Sequence, residues 1–245
     1  MALLADYSLH YVGDVGPGHV SADYFGAFAA RVGQLLGAEH RDPPFVGILC
    51  NGTSGDINNI NPQTAFKSPA PYTLIRRVAD DLAREVLRVE NALRYRREVR
   101  LAAAHRDVRV LTRRPSADDV AQARAFLGAR SNLTSWNDNY AREQLLLADY
   151  PADVALPLQV FRIGDLAVAG WPGEIFAASG LALKERSPVK PLFNVGLANG
   201  WFGYIPPPEQ FRYGAYETWR MRTSYLEPQA TEKMTEAFLA MLQAL

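Results

Sequence analysis

The sequence has a single cysteine, Cys50, among its 245 residues, so no internal disulfide is available to it. Cys50 closes the apolar run FVGILC and reads as an inert core thiol rather than a nucleophile. Charge of one sign is not in excess either. Lys and Arg together number 26, as do Asp and Glu, and the formal net charge is zero. A nucleic-acid-binding surface would show a basic surplus or a basic stripe. The densest basic stretch, Arg94 to Arg100, also contains Glu98 and reads as a solvated junction. No run of about 18 apolar residues occurs, so no membrane-spanning helix is expected. The opening residues MALLADYSLHYVG lack a basic segment and a small-residue cleavage site and are interrupted by Asp6 and His10. They read as a strand and not as a signal peptide.

What is present is core-forming material. Hydrophobic residues make up 48% of the chain, enough for one sizeable core or two small ones. Residues 2–12 read as a strand. Ser21 reads as the cap of an amphipathic helix with Tyr24, Phe25, Phe28, Val32 and Leu35 on its apolar side. Residues 45–50 suit a strand buried on both faces. A Gly-, Asn-, Asp- and Pro-rich loop follows from Asn51 to Pro71. Tyr72 to Leu93 has the clearest helical period, marked by Leu74, Val78, Leu82, Val86 and Leu93. Residues 98–112 alternate as a long strand. Ser116, with Asp118 and Asp119 behind it, predicts a helix ending at Gly128. A further helix is expected from about Asp138 to Ala148. Residues 154–170 read as a hairpin turning at Gly164-Asp165. A helix is expected from near Glu174 to just before Pro188, a short strand at 192–198, and a last helix from Pro228 onward. The alternation predicts an α/β fold, a mixed sheet with flanking helices, in one domain spanning 1–245, since no linker-like stretch divides the chain.

The segment 199–227 is too long for a mere connection. Its Trp201, Phe202, Tyr204, Phe211, Tyr213, Tyr216 and Trp219 argue against disorder. Chemistry-bearing residues follow the apolar strands, where sheet enzymes gather their sites. His10 ends the first strand, and imidazole is the commonest protein ligand for zinc, although a lone His in a strand is more often a core or surface residue. The loop Asn51–Asn59 combines two glycines with hydroxyl, carboxylate and amide groups. It suits an oxyanion hole, and equally an Asx-rich turn bonding its own backbone. Glu174 follows Trp171-Pro172-Gly173 and can ligate a metal or act as a base. A carboxylate complementing a helix N-terminus explains it as well. Tyr204, beside Gly203, can approach a metal or substrate closely, or belong to an aromatic cluster under the loop.

Taken in order, the strand ending in His10, GDINN at 55–59, WPGEIF at 171–176 and GLANGWFGYIPPPEQFRYGAYET at 196–218 resemble the neutral, non-lysosomal ceramidase family. The similarity runs along the whole chain, and the last string is its most specific part. The family holds one zinc ion with two His, one Glu and one Tyr. The resemblance implies His10, Glu174 and Tyr204 as zinc ligands, converging within about 3–5 Å of a common point. It implies Asp56, Asn58 and Tyr216 as catalytic candidates bordering that point. The implied reaction is hydrolysis of an amphiphilic amide such as ceramide, and the implied setting is exported or membrane-associated.

Two departures from the pattern stand out. The family's first zinc His lies upstream of the point matched by Met1, so the resemblance implies the C-terminal part of a catalytic domain with the preceding segment absent. That in turn predicts an exposed apolar face beside residues 2–12 and association through it. The family also reads Gly-Asp-Val-Ser-Pro-Asn where this chain has Gly55-Asp56-Ile57-Asn58. Asn can donate a hydrogen bond but cannot serve as a nucleophile. Two functions stay open: a zinc-dependent amide hydrolase, and an inactive relative whose pocket, lined by Trp201, Tyr204 and Tyr216, binds a lipid or small amphiphile.

Overall fold

The computed structural model describes residues 1–61, 63–64, 69–128 and 132–245. The chain is α/β, as the alternation of patterns requires, and its residues group into two compact units, Met1–Val99 and Arg100–Leu245.

In the first unit, β1 (Ala2–Tyr7) and β2 (Val46–Asn51) form a parallel pair in which Ala2 stands opposite Val46 and Leu4 opposite Ile48. Helices α1 (Asp23–Leu35) and α2 (Thr73–Glu90) pack together around Tyr24, Phe28, Val32, Ile75, Ala79 and Ala83. Burying each large apolar side chain of this kind is worth about 1.5–3 kcal/mol. Leu3, Ala5 and Leu49 face that core, while Leu4, Val46 and Ile48 on the other side are 40–50% exposed. The strand at 45–50 is therefore buried on one face only, against the expectation of two. A continuous apolar run does not tell a covered sheet from one with a bare face.

Both helix starts in this unit differ from the simplest reading. Ser21 is not the N-cap residue of α1, although its Oγ accepts the N–H of Asp23, the first helical residue, at 3.0 Å. The helix begins after Ala22, and the Asp23 carboxylate accepts the backbone N–H groups of Val12, Gly13 and Tyr24. Helix α2 likewise lacks a cap from its own N-cap residue, Tyr72. Asp14, distant in sequence, takes the N–H groups of Leu74 and Ile75 at 2.7 and 3.1 Å. A carboxylate at a helix N-terminus satisfies orphan donors wherever in the chain it comes from.

The second unit carries a mixed four-stranded sheet in the order β3 (Leu101–Leu111), β4 (Asp153–Ile163), β5 (Leu166–Gly170), β7 (Leu192–Val195). The pairs β3–β4 and β4–β5 are antiparallel and β5–β7 is parallel. The predicted turn at Gly164-Asp165 joins β4 to β5. Helices α3 (Ala117–Leu127) and α4 (Trp136–Ala148) each start in a capping box, Ser116 with Asp119 and Ser135 with Asp138. The second box moves the start of α4 upstream of the expected Asp138.

The largest correction falls at Glu174. It does not open a helix. Glu174–Ile175 is a short strand, β6, paired in parallel with β8 (Tyr204–Ile205), and the helix α5 runs Ala177–Arg186. A 3₁₀ turn at Pro208–Arg212 and the final helix α6 (Ala230–Ala244) complete the unit. Its core joins Val110, Leu156, Leu158 and Val160 to Trp171, Ile175 and Ile205 under α6, where the Trp171 and Phe238 rings lie 4.5 Å apart.

Among the described residues, no helix is long and apolar enough to cross a membrane.

Candidate functional site

The candidate residues fall into the two units, His10, Asp56 and Asn58 in the first and Glu174, Tyr204 and Tyr216 in the second. Each group has its own geometry.

His10 lies just beyond β1 rather than on it. Its backbone N–H donates to the Ile57 carbonyl at 3.0 Å, and its ring Nδ1 lies 3.2 Å from the same oxygen. A metal-binding imidazole commonly gives one ring N–H to a carbonyl, which fixes the ring for the other nitrogen to ligate. The preceding residue is fixed too. The buried Tyr24 hydroxyl donates to the Leu9 carbonyl at 2.8 Å, and burial, with Asp23 and Tyr7 nearby, pushes its pKa up.

The GDINN loop is laced to the same segment. The Asn59 side chain donates to the carbonyls of Tyr11 and Val12 at 3.1 and 2.9 Å. Asp56 and Asn58 are exposed on this loop. Ser54 is buried and accepts from the Asn51 side chain at 2.9 Å, so it holds the turn and is not presented as a nucleophile. Asn58 also borders a cavity of about 310 Å³ walled by Leu9, Val12, Ile60, Leu74 and Val78 together with Asn59, Asn61 and Arg77. His19 bonds the Tyr72 hydroxyl at 2.7 Å and stacks on its ring. Burial, with Asp6 nearby, pushes the Cys50 thiol up, as suits a thiol without a nucleophilic role.

In the second unit, the parallel register sets Glu174 opposite Tyr204, so both side chains leave the same face of the β6–β8 ribbon. The Trp201 indole donates to Glu174 Oε1 at 3.2 Å. The hydroxyls of Tyr204 and Tyr216 are 3.4 Å apart, and their rings meet edge-on at 5.4 Å. Burial raises the Tyr204 pKa well above the ordinary phenol range, and the Tyr216 hydrogen bond and the Glu174 charge raise it further. Tyr216 is raised less, since its bond with Tyr204 works against burial.

Two glycines make the ribbon possible. A side chain on Gly173 would come within 2.7 Å of the Gly203 carbonyl, and Gly203 has φ +75° with the Thr223 backbone against it. Beneath them, Trp171 donates to Asn194 and Asn194 donates to the Gly180 carbonyl, a fully buried relay that fixes the turn leading into Glu174.

Arg113 is a residue that the sequence patterns do not single out. Its guanidinium donates to the carbonyls of Thr218, Ser224 and Leu226 and lies 4.8 Å over the Phe211 ring. It thereby gathers the far half of the aromatic segment. Burial and the nearby Arg220 push its pKa down to about 10, which leaves it cationic at neutral pH. No spacing or motif distinguishes this Arg from its neighbour Arg114.

A carboxylate and a phenol on one ribbon face, and an imidazole held through Nδ1, are donor types that suit zinc. Among the described residues, no group of three or more His, Cys, Asp and Glu could hold a metal ion. The ligand set implied by the resemblance has only two residues of those kinds, the third being Tyr204.

The fold is that of the neutral ceramidases. The structure of neutral ceramidase from Pseudomonas aeruginosa superposes with a TM-score of 0.69 at 16% identity, covering 100% of this chain and 44% of that one. A ceramidase complexed with C2 superposes with a TM-score of 0.67 at 15% identity, covering 99% of this chain and 45% of that one. The chain thus spans less than half the length of these two structures. No family model matches the sequence, and no curated protein does.

Proposed function

We propose that the chain is part of the catalytic domain of a zinc-dependent amide hydrolase acting on an amphiphilic amide of the N-acylsphingosine type. The observation that carries this reading is the pairing of Glu174 with Tyr204 across β6–β8, with Trp201 on the carboxylate and Tyr216 on the phenol, in a chain with a ceramidase fold. In this reading residues 1–245 form one domain, His10, Glu174 and Tyr204 hold the metal, and a further ligand comes from outside these residues. Zinc, when bound, would polarise the amide carbonyl and lower the pKa of a water.

The chain's own groups do the rest. Trp201 orients the Glu174 carboxylate, and the Ile57 carbonyl orients His10. The Tyr216 hydroxyl and the Asn58 amide can each donate to an oxyanion. The apolar side of the cavity beside Asn58, formed by Leu9, Val12, Ile60, Leu74 and Val78, can take part of an acyl chain. The test is elemental analysis of the purified protein beside hydrolysis of an N-acylsphingosine, with and without chelator. Zinc content that falls in the His10→Ala/Glu174→Ala variant supports the assignment. Unchanged zinc content refutes it.

A second reading rests on Asn58, which stands where the resembling family has a catalytically important Ser. The chain would then bind an amphiphile against Trp201, Tyr204 and Tyr216 without turning it over. Binding of a non-hydrolysable lipid amide that persists in excess chelator favours this reading, and strict zinc dependence counts against it.

A further inference from the structure

The cavity of about 310 Å³ in the first unit has a polar edge of one chemical kind. Opposite its apolar side that edge carries Asn58, Asn59, Asn61 and Arg77 and, among the described residues, no Asp or Glu. Arg77 is exposed on α2, and among the described residues it is in no ion pair. Further along the same helix Arg84 is held by Asp80 at 2.7 Å and Arg88 by Glu85 at 2.6 Å. Arg77 thus brings an unmatched positive charge to the edge of an apolar hollow.

Two of the Asn residues add donors to that charge. The Asn58 amide oxygen accepts the Asn59 N–H at 2.8 Å, and the Asn61 amide oxygen accepts the Gln63 N–H at 3.0 Å. A backbone N–H can bond only the oxygen of an amide side chain, so these two bonds fix which end of each amide is engaged. The amide N–H groups of Asn58 and Asn61 have no bond among the described residues. Asn59 is committed to the backbone, donating to the carbonyls of Tyr11 and Val12. A guanidinium and two amide donors suit a head group that is negative and accepts hydrogen bonds. A carboxylate does both and matches the guanidinium fork. An alcohol brings no charge to Arg77, and an ammonium is repelled by it. The apolar side suits an alkyl tail, and the volume is at the small end of ligand sites, enough for one chain segment.

We infer that this cavity binds a fatty-acid anion, with the carboxylate at Arg77 beside the Asn58 and Asn61 amides and the alkyl chain against Leu9, Ile60, Leu74 and Val78. The inference deepens the acyl-chain role given to the cavity above. It rests on that reading for the source of the ligand, since hydrolysis of an N-acylsphingosine releases a fatty acid. The neutral amide brings no charge to Arg77, so the released acid is held more tightly at this edge than the substrate and competes with it. Binding of the acid itself needs no zinc.

The test titrates the 245-residue chain with octanoate by calorimetry in excess chelator, with octan-1-ol, octylammonium and acetate as parallel arms. Octanoate is expected to bind most tightly, with an affinity that falls as salt is raised. Octan-1-ol is expected to bind more weakly and without that salt dependence. Arg77→Gln is expected to lower octanoate affinity about fivefold and to leave octan-1-ol unchanged. Ile60→Ser, at a position 46% exposed, is expected to weaken both, because it removes apolar wall. Equal binding of octanoate and octan-1-ol, preference for octylammonium, or acetate bound as tightly as octanoate would each overturn the inference. Unchanged octanoate affinity in either variant would do the same, as would no octanoate binding to protein shown by circular dichroism to be folded. Octanoate bound by a chain that holds no zinc and hydrolyses no N-acylsphingosine would uphold the binding site and remove the hydrolase reading. Zinc-dependent hydrolysis without octanoate binding would do the opposite.

Discussion

Tyr204 stands directly opposite Glu174 in a parallel pairing only two residues long, with the Trp201 indole 3.2 Å from the Glu174 carboxylate. So short a ribbon has little stability of its own, because each strand contributes few backbone bonds. It is fixed from outside. Tyr204 donates its N–H to Thr223, and Arg113 holds the chain just beyond at Ser224 and Leu226.

Gly203→Ala tests this arrangement. Ala at φ +75° with a Cβ against the Thr223 backbone is strained, and backbone is costly to displace. A loss of about 1–3 kcal/mol is expected in urea unfolding. The Trp201 fluorescence environment should change with it, since the ribbon that positions Glu174 is displaced.

Arg113→Met should destabilise more, by about 3 kcal/mol, because several buried carbonyls lose their donor at once. Arg113→Lys should recover part of this only, because an ammonium cannot reproduce the guanidinium fork. Amide hydrogen exchange should quicken across 213–226 in both variants while the protection of β4 and β5 stays unchanged. A uniform loss of protection would mean that Arg113 supports the whole unit and not this segment.

Glu143 gives the pH dependence. Burial alone would raise its pKa, but the side-chain and backbone N–H groups of Arg222 outweigh burial and hold it below the ordinary carboxyl range. A pKa depressed on folding contributes stability that is present above the unfolded value and is lost as pH falls through the folded one. The urea midpoint should therefore decline as pH drops below about 4.3. Glu143→Gln should flatten that decline and lower the midpoint at neutral pH.

Asn58→Ser addresses the departure from the ceramidase pattern. The exposed position beside the cavity accepts a smaller side chain, with loss of the bond that the Asn58 amide oxygen accepts from the Asn59 N–H at 2.8 Å. Under the hydrolase reading, hydrolysis of an N-acylsphingosine should rise while zinc content stays the same. If lipid binding persists and hydrolysis stays at background, the non-catalytic reading gains.

The bare face of the β1–β2 pair, with Leu4, Val46 and Ile48 exposed, predicts concentration-dependent association. Sedimentation velocity should show species heavier than the monomer, and Leu4→Lys/Ile48→Lys should return them to monomer. A monomeric wild-type chain at high concentration would rule this out.

The sequence by itself determined the elements whose cause is local. Capping at Ser116, the hairpin turn at Gly164-Asp165, the amphipathic period of α2 and the α/β class all follow from residues near one another in the chain. It also carried the strings that resemble ceramidases, and the fold agrees with them. Tertiary structure decided what depends on residues far apart. Asp14 caps α2 from outside the helix, Arg113 reaches past 100 positions to three carbonyls, and Val46 and Ile48 are exposed in a run that reads as buried. Glu174 shows the difference most plainly. Locally, a carboxylate after Trp-Pro-Gly suits a helix N-terminus. Pairing with Tyr204 makes it a strand, because a parallel partner 30 residues away supplies backbone bonds that no local pattern records.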